Sequence, residues 1–108
     1  GSDVRALFEI VAARGGEAVS REVRLKFSDA GITALTINGK PVDDNREYTI
    51  ATIDYLANGG DKLTPFKNSV ARTDFPEVMR EAIIGHFRQL TRQGKQANAR
   101  IEGRVVKE

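Results

Sequence analysis

Val23-Arg-Leu-Lys-Phe27, then Ile32-Thr-Ala-Leu-Thr-Ile37 running into Asn38-Gly39, is the stretch that decides the fold. Val23, Leu25 and Phe27 alternate strictly with Arg24 and Lys26, the period-two pattern of a strand with one buried face. Ser28 to Gly31 reads as a turn and Ile32 to Ile37 as a second strand. Asn38-Gly39 is a two-residue hairpin signal. The short segment Lys40-Pro41-Val42 follows, and Asp43 to Arg46 turns again. Tyr48, Thr49, Ile50, Thr52 and Ile53 are β-formers, so Glu47 to Ile53 is expected to be a third main strand.

Outward from this centre the period changes. Val4, Leu7, Phe8 and Val11 fall at helical spacing, and Gly15-Gly16 is a stop signal, which predicts a helix over about residues 3–14. Beyond Asp61 the chain reads as loop to Ser69, with Thr64-Pro65 as a breaker. Thr73 or Asp74 is expected to cap a long helix, with Pro76 in its first turn and Glu77 near the reciprocal capping position. Val78, Met79, Ala82, Ile83, Phe87 and Leu90 make its apolar stripe, and Gly94 ends it. Ile101 to Val106 closes the chain as a strand, on an edge. The sum is an α/β (α+β) layer: a mixed sheet of about four short strands with two helices.

Composition narrows the function classes. The 17 basic and 15 acidic residues are interspersed, so a net charge of +2 supplies no basic run for nucleic acid. No cysteine is present, which excludes disulfides and thiolate metal sites. No apolar run approaches the length of a membrane span. The single histidine, His86, lies near the edge of the long helix's apolar stripe and reads as structural. Asp43-Asp44 beside Asn45 reads as turn chemistry rather than a metal site.

One stretch does suit a ligand. Tyr55 stands just before the turn Asn58-Gly59-Gly60 and Asp61 just after it, and those three residue types tolerate positive φ. An aromatic face and a carboxylate on a Gly-rich turn match a flat ring carried on a sugar. The face stacks, and the carboxylate accepts hydrogen bonds from vicinal hydroxyls. The plainer reading is a half-buried tyrosine at a strand-to-loop junction, its hydroxyl in water, followed by an ordinary turn aspartate.

Ile37-Asn-Gly-Lys-Pro-Val-Asp43, Tyr48-Thr-Ile-Ala-Thr52 and Asp54-Tyr-Leu-Ala-Asn-Gly-Gly-Asp61 resemble the C-terminal, substrate-binding domain of the 5'-nucleotidase family. Leu7 to Gly16 resembles the preceding helix and Gly-rich turn, and Arg100-Ile-Glu-Gly-Arg-Val105 the closing strand, so the likeness runs over about residues 3–107. Ile-Glu-Gly-Arg is also a protease site used in cloning, but here it fits the closing strand. Gly1-Ser2 reads as a cloning scar. The resemblance implies that Tyr55 stacks on a nucleobase where the family more often has Phe. It implies that Asp61 takes the ribose hydroxyls, and that Asn58, Gly59 and Gly60 shape the turn. The family's second base-clamping aromatic has no counterpart in Gly16 to Glu22. Val19 or a neighbour would then serve as an apolar wall, or the site has drifted. The upstream substrate-holding arginines are also without counterpart, as in a domain cut on its N-terminal side.

By the same resemblance, hydrolysis belongs to a metallophosphoesterase domain in cis or in trans, whose divalent metals activate water. This chain would contribute no catalytic residue, metal ligand or cofactor of its own. Its expected ligand is a nucleoside or nucleotide, and its expected location the periplasm or cell surface. The competing expectation is a degenerate domain of the same fold used for protein interaction or assembly. An exposed apolar patch would mark that case and would also drive homo-oligomers.

Overall fold

The computed structural model describes residues 1–108 and divides into two compact units, Gly1–Val70 with Glu102–Glu108, and Ala71–Ile101. In the first unit helix α1 spans Ser2–Ala13, and strands β1 (Val23–Ser28), β2 (Gly31–Ile37), β3 (Lys40–Pro41) and β4 (Val105–Lys107) form one sheet. The sheet order is β3-β2-β1-β4, antiparallel except for the parallel β1–β4 pair. The expected α/β layer with a four-stranded mixed sheet is present, but its third strand is Lys40–Pro41 rather than Glu47–Ile53.

The period-two pattern is realised directly. Val23, Leu25 and Phe27 are buried, and Arg24 and Lys26 point to solvent. Against the inner face lies α1, which buries Val4, Leu7, Phe8, Val11 and Ala12, one stripe of a 3.6-residue repeat. Leu35, Val42 and Leu63 complete the core, and Leu25 at its centre is 0% exposed.

Helix α1 ends where Gly15-Gly16 predicts. The Gly15 amide bonds Ala12 O (3.1 Å) and the Gly16 amide bonds Val11 O (2.9 Å), which satisfies the last carbonyls in the Schellman pattern. At Asn38-Gly39 both φ values are positive, 54° and 78°, as a type I′ hairpin turn requires. The sheet closes through Leu25 N–H to Arg104 O (2.8 Å) and Glu108 N–H to Phe27 O (2.7 Å). The closing strand is Val105–Lys107 rather than Ile101 to Val106, and Arg104, just before it, donates to Val19 O at 2.9 Å.

Three expectations are corrected. Glu47 to Ile53 is not a strand: no regular element is formed between Pro41 and Asp54, and Ile50 is 45% exposed. The preceding edge strand, β3, is two residues long and one of them is Pro41, which has no N–H to offer a further ladder. Tyr48 anchors the segment instead, accepting a hydrogen bond from Asp43 N–H (2.9 Å) and packing against the core. The supposed loop after Asp61 contains a 3-10 helix, Thr64–Asn68, started by Pro65 near its N-terminus.

The second unit contains the third correction. Its helix, Met79–Arg92, is capped by neither Thr73 nor Asp74; Val78 occupies the N-cap position and no side chain caps it. The Asp74 carboxylate is instead held by Arg72 at 2.9 Å. The helix ends at Gly94 as predicted, with Gly94 N–H on Thr91 O (3.0 Å) and Lys95 N–H on Leu90 O (2.8 Å). Its apolar stripe exists, but Met79, Ile83 and Phe87 are exposed. His86 is exposed too, its ring 6.1 Å from that of Phe87.

Candidate functional site

The segment from Asp54 to Lys62 is held from beneath by its own apolar residues. Asp54–Ala57 is a single helical turn, α2, rather than the end of a strand, so Tyr55 sits in the first turn of a helix. Leu56 packs partly into the core and Leu63 is buried. The chain between these two anchors is forced into a compact reversal. Asn58 N–H bonds Asp54 O, Gly59 N–H bonds Leu56 O (both 2.9 Å), and Leu63 N–H bonds Gly60 O (3.0 Å).

Asn58, Gly59 and Gly60 are residue types that tolerate positive φ. Only Gly59 has it, at 87°; Asn58 is at −81°, and Gly60 is not among the left-handed glycines. The left-handed residues are instead Asp61 (φ 54°, ψ 30°) and Lys62 (φ 63°). Asp is among the few non-glycine residues that enter this region readily, because its short polar side chain bonds locally. Gly60 is required for space, since a Cβ there would stand 2.6 Å from both Tyr55 Cζ and the Tyr55 carbonyl oxygen. Gly60→Ala is therefore expected to displace the Tyr55 ring and to destabilise the unit by ~1–3 kcal/mol, the usual penalty of overpacking. Denaturant unfolding together with the Tyr55 ring shifts in NMR checks both.

Tyr55 and Asp61 are brought together directly. The Tyr55 hydroxyl donates to Asp61 Oδ1 (3.1 Å) and accepts from Asp61 N–H (3.3 Å). The hydroxyl is thus engaged rather than simply wet. The ring is 55% exposed, and the Asp61 side chain is also on the surface. A third residue, Arg14 at the C-terminal end of α1, donates from Nη2 to Asp61 O. The sequence marks Arg14 only as a basic residue before a helix stop; its reach across 47 positions is visible only in the folded chain. The stem of Lys67 passes over Gly59, near enough that a Cβ there would lie 2.6 Å from Lys67 Cε.

The arrangement offers an aromatic ring and a carboxylate at one exposed turn, on a rigid base. It contains no nucleophile–base pair, and no cluster of three or more metal-ligating side chains stands in the chain. Val19, the candidate apolar wall, is packed against the hydrophobic core. Asp43 and Asp44 are committed elsewhere, to Asn45 N–H (2.9 Å) and to Arg5 Nε (2.8 Å). No helix is long and apolar enough to cross a membrane.

Comparison with known proteins identifies the family of the chain. The sequence model of the family described as 5'-nucleotidase, C-terminal domain, matches residues 1–68, which include α1, the hairpin and the whole Tyr55–Asp61 turn. Protein UshA of Yersinia enterocolitica (serotype O:8 / biotype 1B) is 35% identical over 94 residues, covering 80% of this chain. The chain spans 17% of that relative's length. This chain belongs to the 5'-nucleotidase family, as a member of its C-terminal domain.

Proposed function

We propose that this chain is the substrate-recognition part of a 5'-nucleotidase-type phosphoester hydrolase, and that the turn from Tyr55 to Asp61 binds the nucleoside portion of a nucleotide. The observation that supports this most is the pairing of an exposed tyrosine ring with an exposed carboxylate at one turn, 3.1 Å apart at their oxygens. A nucleobase stacks on the ring, and the ribose hydroxyls donate to Asp61. Asn58, Gly59 and Gly60 set the backbone so that the two side chains meet. In this reading the bond-breaking step is performed by a metallophosphoesterase domain, in cis or in trans, with divalent metals that this chain does not ligate. The periplasm or the cell surface is the location that accords with such a hydrolase.

The test is a titration with adenosine and AMP, followed through the Tyr55 ring and Asp61 amide signals in NMR. Saturable shifts at both are expected. Asp61→Ala should weaken adenosine at least about tenfold, the effect of losing hydrogen bonds to a charged acceptor. Absence of any shift at millimolar ligand would defeat the proposal. It would favour the second reading, an interaction or assembly module of the same fold. That reading draws on the exposed Val78, Met79, Ile83 and Phe87 of the second unit and on the lack of a second aromatic between Gly16 and Glu22.

A further inference from the structure

Asp61 is held at three points in a conformation that few residues adopt. Its backbone is left-handed, at φ 54° and ψ 30°. Arg14 grips its carbonyl oxygen, and the Tyr55 hydroxyl bonds both its amide and its Oδ1. The hydrogen bond from the Tyr55 hydroxyl to the carboxylate falls on Oδ1. A non-glycine residue persists in this region when its surroundings over-determine it, and such positions concentrate at ligand clamps. Two of the three restraints come from one oxygen atom, the Tyr55 hydroxyl.

We propose that the Tyr55 hydroxyl is a positioning group that orients the Asp61 carboxylate and thereby sets the preference of the site for ligands carrying a vicinal diol. The inference rests on the nucleoside reading above and assigns the ring and the hydroxyl of Tyr55 separate roles. The ring supplies a stacking face that is indifferent to the sugar. The hydroxyl acts through Asp61: it holds Oδ1 in place, leaves Oδ2 to a ligand hydroxyl, and keeps the second lone pair of Oδ1 available to the neighbouring one. A carboxylate left to rotate would lose that pre-organisation, and only the diol-dependent part of the affinity would fall.

Tyr55→Phe removes one oxygen and keeps the ring, so it separates the two roles. Wild type, Tyr55→Phe, Asp61→Asn and the double variant would be titrated with adenosine and with 2',3'-dideoxyadenosine. Amide spectra covering Leu25 and Phe27 confirm that each is folded. Wild type is expected to prefer adenosine. In Tyr55→Phe the adenosine affinity should fall by about threefold to tenfold, the worth of one hydrogen bond, with dideoxyadenosine unchanged. The substitution should have no further effect on the preference in the Asp61→Asn background, since the coupling runs through that carboxylate. In the ligand-free protein, Tyr55→Phe should speed exchange of the Asp61 amide hydrogen. A Tyr55→Phe variant that keeps the full preference for the diol overturns the positioning role and leaves the nucleoside reading intact. A wild type that binds both ligands equally overturns this inference and leaves nucleoside binding intact, whereas a wild type that binds neither overturns the nucleoside reading and this inference with it.

Discussion

Leu25→Ala is expected to remove most of the stability of the unit that contains the sheet. Leu25 is 0% exposed, at the centre of β1, between β2 and β4 and beneath α1. Truncating a leucine in such a place loses ~2–5 kcal/mol, from the transfer of the removed carbons and from the cavity they leave. The upper part of that range applies, because the site is walled by strands on both sides and cannot collapse into the gap. A domain of this size has roughly 5 kcal/mol of stability in total, so the variant should be largely unfolded in about 1–2 M urea. Lys26→Ala is the control: the next residue of the same strand, on the solvent face, it should change stability by less than ~0.5 kcal/mol. Equal effects of the two substitutions would show that the alternation does not define the core.

Tyr55→Ala is expected to abolish measurable nucleoside binding while leaving the fold intact. The ring is 55% exposed, so its removal should alter stability by about 1 kcal/mol or less. Loss of base stacking amounts to ~1–3 kcal/mol, and the same substitution removes the hydroxyl that holds Asp61. The two effects act on different parts of the ligand and together imply a loss of about a hundredfold or more. Paired urea unfolding and adenosine titration provide the check. Affinity equal to that of wild type would dispose of the stacking role. A collapse of stability would reassign Tyr55 to the structure of the turn.

The elements legible in the sequence are those specified by local pattern alone. Val23 to Phe27 reads as a one-sided strand, because a one-residue shift of register would bury Arg24 and Lys26. Asn38-Gly39 satisfies the I′ turn by itself. Gly15 and Gly94 end their helices through hydrogen bonds made within six residues of chain. Glu47 to Ile53 fails for the opposite reason. Its β-formers have no neighbour to complete a ladder, and β-propensity measures the fit to a half-buried sheet surface rather than a preference of the backbone. The cap of the long helix fails because Asp74 has a competing partner, Arg72, two residues away.

In the site, the sequence alone determined which residues the proposed nucleoside site turns on: an aromatic and a carboxylate six positions apart across a glycine turn. It also determined, through the run from Ile37 to Asp61, the family to which the chain belongs. The tertiary structure decided how they meet. It placed Tyr55 on a helical turn rather than at a strand end, set the left-handed conformation at Gly59, Asp61 and Lys62, and put the tyrosine hydroxyl on the carboxylate. It alone brought in Arg14. The physical reason is range. Periodicity and turn chemistry act over a few residues, whereas the conformation of Asp61 depends on burial of Leu56 and Leu63 on one side and on a guanidinium delivered by α1 on the other.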